Sequence, residues 1–157
     1  KKFTVGSYMQ FGHVESHFYQ YRPWLSEEDP KNVLYCSTHI LDGERKGAFY
    51  PGTGEAQENT LESDEIYPGG ILNIPIQPKE FKGTTWRKVY TETVIPRLKL
   101  FQPDFIFVSA GFDAHEQDHL HNFGDTKITE FEYQWVTENL VQFANKYCQG
   151  RLVSVLE

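Results

Sequence analysis

The feature that most constrains this chain is a set of short apolar runs that do not alternate. Val33-Leu34-Tyr35-Cys36-Ser37, Gly70-Ile71-Leu72-Asn73-Ile74-Pro75-Ile76, the stretch from Asp104 to Ser109 and the stretch from Arg151 to Leu156 all read as strands. A strand with one face in water shows apolar and polar residues in turn. Continuous runs are the pattern of strands covered on both faces, as in parallel sheets. Between them lie segments of helical period. Trp86, Val89, Tyr90, Val94 and Leu98 recur at helical spacing over Thr84–Leu100, with Pro96 expected to kink that helix or end its regular part. Thr129 with Glu132 forms a capping box, and the helix it opens carries Tyr133, Val136, Leu140, Phe143 and Tyr147 as one stripe before Gly150 stops it. Strands separated by helices make the fold class α/β, a largely parallel sheet flanked by helices.

The remainder sets the bounds. Residues 1–32 are aromatic and polar without a period and are interrupted by Pro23 and Pro30, so they read as an irregular insertion or loop segment. Residues 33–157 read as one unit, with a long loop over residues 39–68. The chain opens at Lys1 without a methionine and stops at Glu157 directly after a strand, so it is expected to be a piece of a longer protein. A net charge of −7 with no clustered lysines or arginines argues against nonspecific phosphate binding, and no direct nucleic-acid contact is expected. No apolar run reaches the length of a membrane span and no signal-peptide pattern opens the chain, so no membrane partner is expected either. Cys36 and Cys148 sit inside apolar segments and read as small buried hydrophobes, with a disulfide or ligand role as the other reading; the expected compartment is reducing.

Ligands of parallel sheets gather outside the carboxyl ends of the strands. Just past such an end, after Ser109-Ala110-Gly111-Phe112, stands Asp113. Gly111 is expected to let the backbone turn tightly or approach another group closely. A carboxylate at the rim of a crevice can ligate a metal such as zinc, which accepts carboxylate oxygen at about 2.0–2.2 Å. An aspartate here can equally be a turn or helix-cap residue, and spacing leaves both readings open. His115, His119 and His121 follow closely, but their loop offers no converging second shell and they read as rim residues. His13 and His17 enclose a glutamate one place too late for a zincin site. His39, after the first strand, is expected to hydrogen-bond locally.

Ser109-Ala110-Gly111-Phe112-Asp113-Ala114 resembles the S-A-G-F-D-A signature of the zinc-dependent histone deacetylases in their class II form. Other stretches are similar to family motifs in the family's order. Val33 to His39 resembles the strand ending in Ser-x-His, and Phe49-Tyr50-Pro51-Gly52-Thr53-Gly54 the F-F-P-G-T-G loop. Asn73-Ile74-Pro75-Ile76 resembles the strand before the next helix, and Val155-Leu156-Glu157 the approach to the Gly-Gly-Tyr loop. The resemblance covers about residues 33–157 and implies the C-terminal part of a catalytic domain of the arginase-deacetylase fold. It implies that Asp113 is one of two aspartates that hold zinc with a histidine. It also implies that Ser37 and the carbonyl of Thr38 contact a potassium ion, that Tyr50 walls the acetyl-lysine tunnel, and that Leu120, after Asp118, lies near its mouth. Tyr50 stands where phenylalanine is common and makes the tunnel more polar. Gln117-Asp118-His119 stands in place of Gly-Asp-Pro, so that loop is expected to take a different path.

The paired histidines, the Asp-x-His ligands and the Gly-Gly-Tyr tyrosine of the family are not among these residues; the N-terminal part of the same domain is the partner expected to supply the first two. The implied function is zinc-dependent hydrolysis of acetyl-lysine amides in histones or other proteins, releasing acetate, in the nucleus, the cytoplasm or both. A polyamine or small-amide deacetylase of the superfamily is the near alternative, and a catalytically silent scaffold module is the alternative of another class. On this resemblance the chain would supply one zinc ligand, Asp113, where a catalytic site needs about three. Residues 1–157 expressed alone are therefore expected to hydrolyse no acetyl-lysine peptide. Turnover by the purified chain contradicts this.

Overall fold

The computed structural model describes residues 3–9, 12–18, 29–41, 53–60, 69–119 and 126–157. The elements run β1 (Phe3–Met9), β2 (Gly12–Phe18), α1 (Asp29–Asn32), β3 (Leu34–Ile40), β4 (Gly70–Ile76), α2 (Gly83–Val89), α3 (Ile95–Phe101), β5 (Ile106–Ala110), α4 (Glu130–Tyr147) and β6 (Leu152–Leu156). β3 pairs β4 in parallel from Leu34↔Gly70 to Ile40↔Ile76, and β5 pairs β6 in parallel from Ile106↔Leu152 to Ala110↔Leu156. Both parallel pairs come from the non-alternating runs. Among the described residues the two ladders share no backbone pairing. They meet through side chains instead.

Two expectations need correction. Residues 1–32 are not irregular throughout: β1 and β2 form an antiparallel ladder from Phe3↔Phe18 to Met9↔Gly12, and α1 follows. Such a ladder depends on backbone pairing across a short connection, which an aperiodic mixture of aromatic, polar and glycine residues does not announce. β3 also runs on to Ile40, through residues assigned to the loop, because Thr38, His39 and Ile40 stay in register with β4.

The helix over Thr84–Leu100 is realised as α2 and α3 joined by a π-helical stretch, Tyr90–Val94. Pro96 has no N–H and its ring obstructs the carbonyl four residues back. The π turn, in which the Ile95 N–H bonds the Tyr90 carbonyl, shifts the ladder by one residue and places Pro96 in the first turn of α3. Proline is tolerated there. The helix ends at Gln102, whose φ of 52° is left-handed, before Pro103.

α4 begins at the expected capping box. The Glu132 carboxylate accepts from the Thr129 N–H at 3.1 Å and from the Thr129 hydroxyl at 2.6 Å. It also accepts from Arg87 of α2 at 2.8 Å, and the Arg87 guanidinium lies 5.6 Å from the Trp135 ring centroid. Val136, Leu140, Phe143 and Ala144 form the buried stripe; Tyr147, expected in it, is 42% exposed, and Cys148 beyond it is fully buried instead. Gln149 and Gly150 both take positive φ, and the Gly150 N–H reaches back to the Ala144 carbonyl at 2.9 Å, which closes the helix. Two apolar clusters result, one around Ile76, Phe81, Trp86, Ile128, Val136 and Leu140, the other around Ile106, Phe143, Ala144 and Cys148. Cys36 and Cys148 are free thiols, and burial pushes Cys36 up to about 11.

The Thr129 hydroxyl, and behind it Arg87, hold the Glu132 carboxyl below its ordinary pKa despite the opposing effect of desolvation. A depressed folded pKa contributes stability that is complete above the unfolded value, about 4.3, and is lost as pH falls through the lower folded value. Glu132→Gln keeps an acceptor oxygen and removes the charge. The difference in unfolding midpoint between parent and variant, followed by circular dichroism, is expected to be largest above pH ~5 and to shrink in acid. A difference that is constant from neutral to acid pH contradicts the assignment.

Candidate active-site crevice

A crevice of about 690 Å³ opens where the carboxyl ends of β3 and β5 approach each other. Thr38, His39 and Ile40 line one side, and Val108 to Ala114 the other. Its floor is aromatic. The Trp86 indole packs edge-on against Phe81 at 5.7 Å, Tyr90 at 5.7 Å and Tyr133 at 5.2 Å between ring centroids. Its N–H donates to the Thr38 hydroxyl at 3.0 Å. The buried indole N–H thereby has its partner, and the end of β3 is tied to α2.

Burial pushes the Tyr90 phenol up to about 12 in spite of its hydrogen bond to Thr38. Burial, and then the negative charge of Asp113, pushes Tyr133 up to about 12 as well. Both phenols are neutral at physiological pH, so the floor is an uncharged surface beside one carboxylate.

His39 anchors the loop side. Its Nε2 lies 2.9 Å from the Gly54 carbonyl, which can only accept, so that nitrogen carries the hydrogen. Nδ1 then accepts the Ser37 hydroxyl at 2.9 Å. Gly54 has φ of 99°, and a Cβ there would lie 2.6 Å from His39 Nε2. Both facts require glycine. The segment is held along β4 by side chains acting as backbone: Asn59 Oδ1 accepts the Asn73 N–H at 2.5 Å while Asn59 Nδ2 donates to the Asn73 carbonyl at 3.1 Å. Thr60 Oγ1 accepts the Ile71 N–H at 2.9 Å. Asn73 is itself buried.

Asp113 is exposed, on a turn closed by the His115 N–H and the Phe112 carbonyl at 3.1 Å. Among the described residues no hydrogen bond or ion pair engages its carboxylate, which lines the crevice. Gly111 does not work as expected. Its φ is not in the left-handed region, and the nearest atom to a Cβ there is Asp113 Oδ1 at 3.4 Å, an ordinary contact.

Of the site residues expected from the sequence, Asp113 and Thr38 line this crevice. Ser37 does not line it and touches it only through its bond to His39; Tyr50, Leu120 and His121 lie outside the described residues. Sequence reasoning missed Trp86 and Tyr133 as floor residues, since a helix stripe reads only as core. It also missed the Asn59–Asn73 pair, for which no periodic signal exists. No three His, Cys, Asp or Glu side chains converge among the described residues. A crevice carboxylate with no partner among the described residues fits one arm of a metal site, and the described residues alone do not complete one.

The histone deacetylase domain family matches residues 14–157, nearly the whole chain and including most of β2. The chain belongs to the histone deacetylase family. It is similar to type-2 histone deacetylase 2 of Dictyostelium discoideum, with 37% identity over 133 residues, 85% of this chain and 7% of that protein. It is 36% identical over 130 residues to the chloroplastic histone deacetylase 14 of Arabidopsis thaliana, covering 83% of this chain and 27% of the relative. The crystal structure of the HDA15 HD domain superposes with a TM-score of 0.63 at 32% identity, covering 83% of this chain and 33% of that one. The histone deacetylase Clr3 also gives 0.63, at 30% identity, with 83% and 20% covered. The fold is therefore that of the deacetylase catalytic domains, the arginase-deacetylase fold, and the chain spans a third or less of these relatives' length.

Gly54→Ala is expected to destabilise the domain by more than about 1 kcal/mol, since alanine at positive φ is strained and its methyl displaces His39. Thermal unfolding measures this. An unchanged midpoint contradicts the account of Gly54 and His39.

Proposed function

We propose that this chain forms one side of the active site of a zinc-dependent enzyme that hydrolyses acetyl-lysine amides in histones or other proteins, releasing acetate. The observation that carries the reading is Asp113: a carboxylate with no partner among the described residues, just beyond β5, at the rim of a crevice with an aromatic floor, in a histone deacetylase domain. Zinc, when bound, supplies Lewis acidity for an amide carbonyl and for water.

The other steps belong to this chain's residues. Asp113 offers carboxylate oxygen, and its negative charge offsets part of the dication. Phe81, Trp86, Val108 and Val136 on the crevice wall exclude water, which strengthens electrostatic interactions within it. Ser37, whose hydroxyl donates to His39, keeps lone pairs for a hard cation, and Ser37 with the Thr38 carbonyl is the proposed potassium contact. Tyr50 and Leu120 are proposed to line the substrate tunnel and its mouth. The N-terminal part of the same domain supplies the remaining zinc ligands and the paired histidines, and the substrates are acetylated proteins of the nucleus or cytoplasm.

Asp113→Asn in the full-length protein tests the reading. Loss of a ligand should cost at least as much as loss of a supporting residue, so zinc affinity and kcat/KM are both expected to fall by more than about 100-fold. Compared without zinc, the unfolding midpoints of parent and variant should differ little, because the residue is exposed. Full zinc content with normal turnover contradicts the ligand role.

A further inference from the structure

The Asp113 turn leaves the ladder at Ala110; Ala114 packs against the core, but Phe112 is 51% exposed and Asp113 is exposed. Something else must fix the direction of its carboxylate. The contacts converge on His115, and we propose that His115 is a positioning residue that orients Asp113 for metal binding. The inference rests on the ligand reading of Asp113.

His115 closes the turn in which Asp113 and Ala114 are the central residues, through its N–H to the Phe112 carbonyl at 3.1 Å. Its carbonyl accepts the Asp118 N–H at 2.9 Å, which starts the next turn. Its backbone bridges to Ile128, a fully buried residue, and the Glu116 N–H bonds the Ile128 carbonyl at 2.8 Å.

The side chain completes the anchor. Nδ1 accepts the Gln117 N–H at 3.1 Å, so Nε2 carries the hydrogen, and it faces Glu130 Oε2 at 3.4 Å in the first turn of α4. The ring stacks over Tyr133 with centroids 6.4 Å apart and planes 18° from parallel, while Phe112 meets the same tyrosine edge-on at 4.9 Å. One side chain thus joins the Asp113 turn to its own following backbone and to α4. The Glu130 contact is long, so the shorter Gln117 bond and the ring stack carry most of the constraint. A histidine accepting the N–H two residues on does the work of an asparagine in an Asx-turn. That equivalence supplies a rescue.

The experiment uses the full-length protein and zinc alone as the probe, with the dissociation constant read by chelator competition. His115→Phe keeps a ring over Tyr133 and removes both nitrogen contacts. It is expected to weaken zinc binding about 10-fold or more, the usual effect of removing a supporting residue, and to lower kcat with KM within about twofold. His115→Asn restores the acceptor for Gln117 and is expected to recover most of the affinity. Asp113→Asn is measured beside them. If it loses zinc while His115→Phe binds as tightly as the parent, the positioning role is overturned and the ligand reading stands. If Asp113→Asn itself keeps zinc, the ligand reading fails. Should His115→Phe not fold, the decision passes to His115→Asn against His115→Gln, whose longer side chain cannot close the Asx-type turn: tighter zinc binding by the asparagine variant supports the role, and equal binding overturns it.

Discussion

Trp86 is where the separately paired pieces of this chain meet. The β3–β4 and β5–β6 ladders share no backbone pairing among the described residues, so their relative placement rests on side chains. The indole sits between Phe81, Tyr90 and Tyr133 and donates to Thr38 at the end of β3. Through Tyr133 it reaches α4, and through Tyr133 again the turn that carries Asp113. Trp86 bonds the end of β3 directly and reaches the turn beyond β5 through Tyr133, so it bridges the two sides of the crevice. A smaller side chain there would let them collapse or drift, and Asp113 would lose its reference to β3.

Around that hub the polar groups are specified more tightly than the apolar ones. His39 is held at both nitrogens, Asn73 has its N–H and carbonyl paired by Asn59, and Glu132 accepts from Thr129 and Arg87. Groups left unpaired in a part-buried setting would cost more than these bonds contribute. Asp113 differs from these, a carboxylate at the crevice with no hydrogen bond or ion pair among the described residues. A free carboxylate on an exposed turn costs little, and it is available to a ligand.

Much of the fold was legible because it follows from periodicity and local chemistry. The non-alternating runs became parallel strands, and the Thr129–Glu132 box opened α4 as its spacing requires. Local resolution failed where the deciding partner is distant or is backbone. The β1–β2 ladder has no apolar period, and the π turn before Pro96 is a response to one missing N–H that sequence places only as a kink. At the site, Asp113 was found by its position after a strand end and by the motif it stands in. At Gly111 the backbone makes no demand for glycine, since its φ lies outside the left-handed region. Gly54 carries the real backbone demand, and the signal for it was the spatial approach of His39, which linear spacing does not reveal.

The central claim is that Asp113 offers its carboxylate at the crevice as a metal ligand. Anomalous diffraction at the zinc absorption edge, on crystals of the complete domain, tests it most directly. The account predicts a zinc peak within about 2.0–2.2 Å of an Asp113 carboxylate oxygen, beyond the carboxyl end of β5. A zinc peak elsewhere in the domain, with Asp113 hydrogen-bonded only within its turn, contradicts it.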